Sequence, residues 1–177
     1  NELINGITEN TKLICMVGRF SEAKDQPTLI RAVSKLSRDI HLILVGEGPL
    51  ISDNKKLAEE LGISDRVHFL GFRQDIPRIL KTVDIVVLSS YWEGLSLASI
   101  EGMASGKPFI ASSVPGLEEI VRDVGLLFGQ GDEHKLTSLI DRLLNDNALY
   151  NEVCIRCFNE SKKYSLQNMI GSLLKVY

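Results

Sequence analysis

The sequence predicts a doubly wound α/β domain: a parallel, Rossmann-like sheet with helices on both faces. Three observations predict it. Short apolar runs alternate with amphipathic stretches about six times along 177 residues. Runs such as HLILV at 41–45 and IVVL at 85–88 are apolar at successive rather than alternate positions, so they have no wet face. Between them, apolar residues recur at helical spacing, the pattern of strands buried under covering helices.

Taken in order, residues 13–17 (LICMV) read as a buried strand ended by Gly18. A polar turn over 19–26 leads into a helix that carries Leu29, Ile30, Val33 and Leu36 on one face. The second strand, 41–45, ends at Gly46, and a helix around 55–61 stops at Gly62. A short strand at 67–70 and a short helix at 76–83 precede the strand at 85–88. Residues 97–105 read as a helix stopped by Gly106, 109–112 as a strand, 117–122 as a short helix and 125–128 as the last strand. From His134 the pattern is helical, interrupted at 145–147 and around Ser165.

Hydrophobic residues make up 44% and charged residues 24%, which excludes a disordered chain. The length suits one domain, 1–177, with a sizeable core. With 20 basic and 23 acidic residues there is no global basic field, so no nucleic-acid partner is expected. No apolar run reaches the ~18 residues of a membrane span. The opening NELINGITENTK lacks the basic-then-apolar order of a signal peptide. Cys15, Cys154 and Cys157 are odd in number and accompany an ordinary core, pointing to a reducing, cytoplasmic location. The chain does not open with Met and reads as a piece of a longer protein.

In doubly wound sheets ligands sit beyond the carboxyl ends of the strands. The loops after Val17, Val45, Leu70 and Leu88 are therefore where chemistry is expected. The first places Arg19 and Lys24 five residues apart at the opening of a helix, where Gly18 allows close backbone approach. A guanidinium fork and a mobile ammonium suit phosphate oxygens, though solvated surface cations have the same spacing. The second loop, GEGPLI at 46–51, has a GxG but places Ile51 at the third glycine of a dinucleotide fingerprint. It reads either as a weak fingerprint or as a tight strand-to-helix turn.

The fourth loop, SSYWEGLSL at 89–97, runs into a helix that carries Glu101. Free backbone N–H groups near Ser96 and Leu97 offer an anion site. Glu93 and Glu101 offer carboxylates for sugar hydroxyls, or simply favour a helix N-terminus. Tyr91 and Trp92 are placed to stack on a ligand or to pack. The CxxC at Cys154 and Cys157 falls in a helix without a second pair, which argues against zinc or redox chemistry. His41, His68 and His134 form no triad pattern. No two aspartates are two residues apart, so a DxD metal site is absent and no metal or cofactor is expected.

The stretches VGRFSEAKDQPTLIRAV, HLILVGEGP, VHFLGF, DIVVLSSYWEGLSLASIEGMASGKPFIAS and GLEEIV occur in this order. Together they resemble the C-terminal, donor-binding domain of the retaining glycosyltransferases of family 4, enzymes of the two-domain GT-B fold. The resemblance runs from Leu13 to the C-terminus and includes the E-x7-E motif, Glu93 to Glu101. It implies that Gly18, Arg19 and Lys24 hold the donor diphosphate and that Glu101 takes the ribose hydroxyls. It makes Glu93 the catalytic acid beside the donor sugar. The backbone of Gly94, Leu95, Ser96 and Leu97 would meet sugar and phosphates, and Leu70, Phe72 and Arg73 would wall the base. Three positions depart from the family: Asp25 replaces a usual Gly and is expected to weaken phosphate attraction, Ser89 replaces a common Pro, and Gly102 a common Ala.

By the same resemblance, the full enzyme moves a sugar from a nucleoside diphosphate sugar to an acceptor hydroxyl, on a sugar or a lipid-linked glycan. Polysaccharide biosynthesis at the inner face of the membrane is the implied setting. The N-terminal acceptor-binding domain of GT-B enzymes is absent from this chain, and residues 164–177 resemble the helix that crosses back to it. The fragment is therefore expected to fold and bind without catalysing. The alternatives are half of a GT-B-like sugar-nucleotide epimerase and a non-catalytic nucleotide-sugar binding module.

Overall fold

Residues 7–94, 96–165 and 168 are described by a computed structural model of the chain. Strands β1 (Lys12–Val17), β2 (Ile40–Val45), β3 (Val67–Phe69), β4 (Ile85–Leu88), β5 (Phe109–Ser112) and β6 (Leu126–Phe128) form one sheet. Their order is β3-β2-β1-β4-β5-β6, and every neighbouring pair is parallel. Every residue of β4 and β5 is buried, as their unbroken apolar runs require. The edge strands β3 and β6 have three residues each and offer few unpaired backbone groups to another chain.

The helices are α1 (Gln26–Ser34), α2 (Ile51–Glu60), α3 (Ile76–Thr82), α4 (Leu97–Ala104), α5 (Pro115–Val121), α6 (Glu133–Asn145) and α7 (Asn147–Ser161). α1 packs with α2 and α6, and α4 packs on α7. One contiguous core joins Ile14, Leu42, Val86 and Ile110 of the sheet to Leu29, Ile79, Met103, Ile140 and Val153 of the helices.

Boundaries differ from the sequence reading where polarity hides the period. α2 starts at Ile51 rather than near residue 55, because only Asn54 and Ala58 of its ten residues are buried. α5 starts at Pro115 rather than 117, with the proline in the first turn, where its missing N–H costs no bond. β3 stops short of Leu70, and Gly125 lies outside β6. The expected interruption at 145–147 is Asp146, which ends α6 and caps α7 by accepting from the Leu149 N–H at 2.9 Å. Of the expected terminal helix, only Tyr164, Ser165 and Asn168 fall within the described residues.

Two sequence features find packing roles. Gly102 lies in α4 against Phe109, and a methyl group there would come 2.5 Å from the ring. Phe109 fills the space that an alanine side chain would take. Cys157 is buried, its thiol donates to the Val124 carbonyl at 3.4 Å, and burial pushes its pKa up to about 11. Among the described residues no helix is long and apolar enough to cross a membrane.

Candidate functional site

The strand order reverses between β1 and β4, so the loops after these two strands flank the crevice of the sheet. They carry residues 18–25 and 89–96. Backbone and serine bonds tie one loop to the other. The Tyr91 N–H donates to the Ala23 carbonyl at 2.9 Å, and the buried Ser89 hydroxyl donates to the Asp25 carbonyl at 2.7 Å. A proline at Ser89 could not make the second bond. From the end of β5, the Ser112 hydroxyl donates to the Ser90 carbonyl.

Lys24 and Glu93 meet across this crevice. The ammonium pairs with Glu93 Oε1, and the Ser90 hydroxyl donates to the same oxygen at 2.8 Å. The two side chains are 20% and 10% exposed. Among the described residues Glu93 Oε2 has no partner and is the oxygen left to accept from a ligand. A Cβ added at Gly18 would lie 3.6 Å from the aliphatic stem of Lys24, an ordinary contact. Arg19 is exposed; its carbonyl is held by Gln26 Nε2 at 2.9 Å, and its guanidinium makes no ion pair among the described residues.

Ser96 is buried and caps α4 by accepting from the Ser99 N–H at 3.3 Å, leaving earlier N–H groups of α4 for a ligand. Gly94 and Leu97 are exposed, Leu97 at 70%, while Leu95 lies outside the described residues. Glu101 is exposed one turn along α4, in a depression of about 130 Å³ lined by Pro77, Leu80 and Lys81. Glu101 thus has residues of α3 for neighbours, whereas Glu93 is held by Lys24 and Ser90. Leu70 packs against the core and Phe72 is 68% exposed. Arg73 forms a fork with the Asp75 carboxylate, both contacts at 2.8 Å.

The GxG loop is explained by close backbone approach, not by a dinucleotide. Gly46 has φ 137°, and a Cβ there would lie 2.2 Å from the Gly18 carbonyl oxygen. At Gly48 the corresponding distance to the Phe20 carbonyl oxygen is 2.3 Å. The Phe20 N–H donates to the Glu47 carbonyl at 3.0 Å, so the second loop lies on the first and supports it.

Three contributors escape sequence reasoning: Ser90, Gly116 and the conformation of Asp25. Gly116, in α5, lets that helix approach so closely that a Cβ would sit 2.3 Å from the Glu93 carbonyl oxygen and 2.4 Å from that of Gly94. Asp25 has φ 46° and ψ 48°, the one non-glycine with positive φ among the described residues. That backbone explains a usual Gly there, and aspartate tolerates it better than most residues. The carboxylate turns to the start of α1, accepting from the Thr28 N–H at 3.4 Å, and burial raises its pKa. Its Oδ1 therefore faces the first turn of α1.

A profile of the family described as "Glycosyl transferases group 1" matches residues 3–163. The D-inositol 3-phosphate glycosyltransferase of Mycobacterium marinum is 37% identical over 153 residues, covering 81% of this chain and 32% of that protein. Anabaena HepE in complex with UDP superposes with a TM-score of 0.88 at 26% identity, over 95% of this chain and 50% of its own. The C-terminal domain of the group 1 protein LpcC from Francisella tularensis has a TM-score of 0.78 at 25% identity, over 88% of this chain and 87% of its own. The chain spans about a third to a half of the length of the curated relatives it matches.

Proposed function

The chain belongs to the group 1 glycosyl transferases, and from that premise we propose that it is the nucleotide-sugar-binding half of a retaining, GT-B glycosyltransferase. The observation that carries this reading is the convergence of Lys24, Ser90 and Glu93 at the strand-order reversal, beside the N-terminus of α4. The binding of UDP by HepE supports it.

On this reading Arg19, Lys24 and the first N–H groups of α4 take the donor diphosphate. They oppose the charge that gathers on it as the bond to the sugar breaks. Glu93 Oε2 accepts from a hydroxyl of the donor sugar, which fixes the anomeric carbon toward the acceptor. Glu101 accepts from the ribose hydroxyls, and exposed Phe72 offers its ring to the base, beside Leu70 and the Arg73–Asp75 fork. A second, acceptor-binding domain supplies the opposite wall of the crevice, and positioning of the acceptor depends on it. The acceptor is a sugar or lipid-linked glycan, met at the inner face of the membrane.

Calorimetric titration of the chain with UDP, GDP, ADP and their sugar derivatives tests the reading. Saturable binding of at least one diphosphate, little changed when EDTA replaces magnesium, is expected. Glu101→Gln should weaken the nucleoside diphosphate while sparing pyrophosphate, because an amide keeps one acceptor oxygen for a diol. If no nucleoside diphosphate binds, the reading falls.

A further inference from the structure

Beside the ion pair lies a second concavity. Ser21, Glu22, Ala23, Pro49, Leu50 and Trp92 line a depression of about 360 Å³, near the low end of the roughly 300–1,000 Å³ of small-molecule sites. None of the residues assigned to the donor lines it. Yet Ala23 precedes Lys24 and Trp92 precedes Glu93, so the depression and the ion pair are built on the same two loops.

Backbone bonds fix its walls in place. The Tyr91 N–H to Ala23 carbonyl bond, 2.9 Å, joins the wall carrying Trp92 to the wall carrying Glu22. The Leu50 N–H donates to the Phe20 carbonyl at 3.3 Å and holds the third wall. Trp92 is 60% exposed and leans on Tyr91, with ring centroids 6.5 Å apart. A large aromatic ring held so far out of the core loses hydrophobic stabilisation that an occupant would restore.

The polar groups around it are unengaged. Among the described residues the Glu22 carboxylate has no hydrogen bond or ion pair, and the Ser21 side chain makes no cap bond to the turn that it heads. An indole face accepts the C–H face of a pyranose, and a carboxylate accepts from two neighbouring hydroxyls. The Glu22 charge disfavours a phosphate or a second nucleotide. The set therefore fits a neutral polyhydroxy ring.

We propose that this depression is a sugar subsite, taking the pyranose ring of the acceptor against Trp92 with its hydroxyls on Glu22 and Ser21. The proposal rests on reading the adjoining crevice as the donor site. Trp92 is the chain's only tryptophan, so its fluorescence reports on the subsite directly. The chain is titrated with methyl glucopyranosides, galactopyranosides, mannopyranosides and N-acetylglucosaminides to 200 mM scale, with and without UDP. At least one should shift Trp92 emission saturably. Glu22→Gln should weaken that glycoside at least fivefold, and Trp92→Ala should abolish its binding by calorimetry, both with UDP affinity kept within twofold. No saturable change with any glycoside, in protein that binds UDP, overturns the subsite. So does glycoside affinity unaltered in Trp92→Ala. Glycoside binding at Trp92 in protein that binds no nucleoside diphosphate would uphold the subsite and overturn the donor reading instead.

Discussion

The ammonium of Lys24 rests on Oε1 of Glu93, although 69 residues separate them in the chain. Ser90 donates to the same oxygen, so one carboxylate oxygen is doubly engaged while the other stays open. The charge of Lys24 is thus already committed within the protein. A diphosphate must draw the ammonium from Glu93, whereas exposed Arg19 has no partner to leave among the described residues.

This asymmetry sets an order among variants. Arg19→Ala should weaken binding of a nucleoside diphosphate by about 1.5–3 kcal/mol, the scale of hydrogen bonds to charged groups. Lys24→Ala should cost less, because the bound state replaces an ion pair that the free state already has. Glu93→Gln should tighten the diphosphate itself by roughly threefold to tenfold, as an ion pair worth about 1 kcal/mol no longer competes. The same variant should bind the nucleotide sugar no better than wild type, because the amide keeps one acceptor oxygen, uncharged, for both Ser90 and the sugar hydroxyl. Calorimetry on the four proteins reads this order, and a weaker diphosphate in Glu93→Gln would contradict it.

Gly116 determines where Glu93 sits. A β-carbon at 116 meets two carbonyl oxygens at 2.3 and 2.4 Å, and backbone cannot swing aside as a side-chain end does. Gly116→Ala gains about 0.5–1 kcal/mol of helix propensity but faces an overpacking cost of about 1–3 kcal/mol. The second should win. A fall in melting temperature of a few degrees is expected, on the scale of roughly 2–4 °C per kcal/mol for a domain of this size. Diphosphate affinity should fall with it. Gly94→Ala, whose β-carbon meets nothing within 4 Å, should leave the melting temperature unchanged.

The inner strands β2, β4 and β5 were legible because they are buried along nearly their whole length, and doubly wound order follows from the alternation of strands with helices. α2 was partly hidden because two buried residues in ten leave almost no apolar period. At the site, Lys24 and Glu93 were each legible as a charge in a strand-end loop. Their pairing was not, since no local pattern links positions so far apart. Ser90 is one of several serines near a strand end, and only the fold brings its hydroxyl onto Glu93 Oε1. The spacing motif joined Glu93 and Glu101, yet a helical turn carries the second acid toward α3.

Asp25 combines an unfavourable backbone with a useful cap. Asp25→Gly removes the left-handed cost and loses only a few tenths of a kcal/mol of capping. It should melt at or above the wild type. Asp25→Ala keeps φ 46° without either a tolerant side chain or a cap, and should lose about 1–2 kcal/mol. Thermal melts of the two variants decide whether backbone or side chain governs this position. An alanine variant as stable as the glycine variant would show that the left-handed turn relaxes.

His41 on β2 and His68 on β3 set a pH dependence away from the site. Nδ1 of His41 lies 3.0 Å from Nε2 of His68, and the rings stack at 5.2 Å. Such a contact needs one donor and one acceptor, so it cannot survive protonation of both rings. Burial lowers both pKa values below the usual 6.5, and each ring faces further charges. Asp65 favours the protonated form of both, Asp39 favours that of His41, Arg66 opposes that of His41, and His41 itself opposes that of His68. Because the folded values are depressed, the unfolded chain binds more protons between them and about 6.5. Stability from this pair is therefore complete above about pH 7 and is lost as pH falls through the folded values. Asp25 acts with the opposite sign, since its raised pKa lets the folded state take up a proton first. The melting temperature of wild type should fall between pH 7 and pH 5, and His68→Gln should flatten that fall. The difference between the two curves cancels Asp25 and every other shared group. A difference independent of pH would mean that the two rings titrate alike in the folded and unfolded chain, and the stacked rings would then be packing alone.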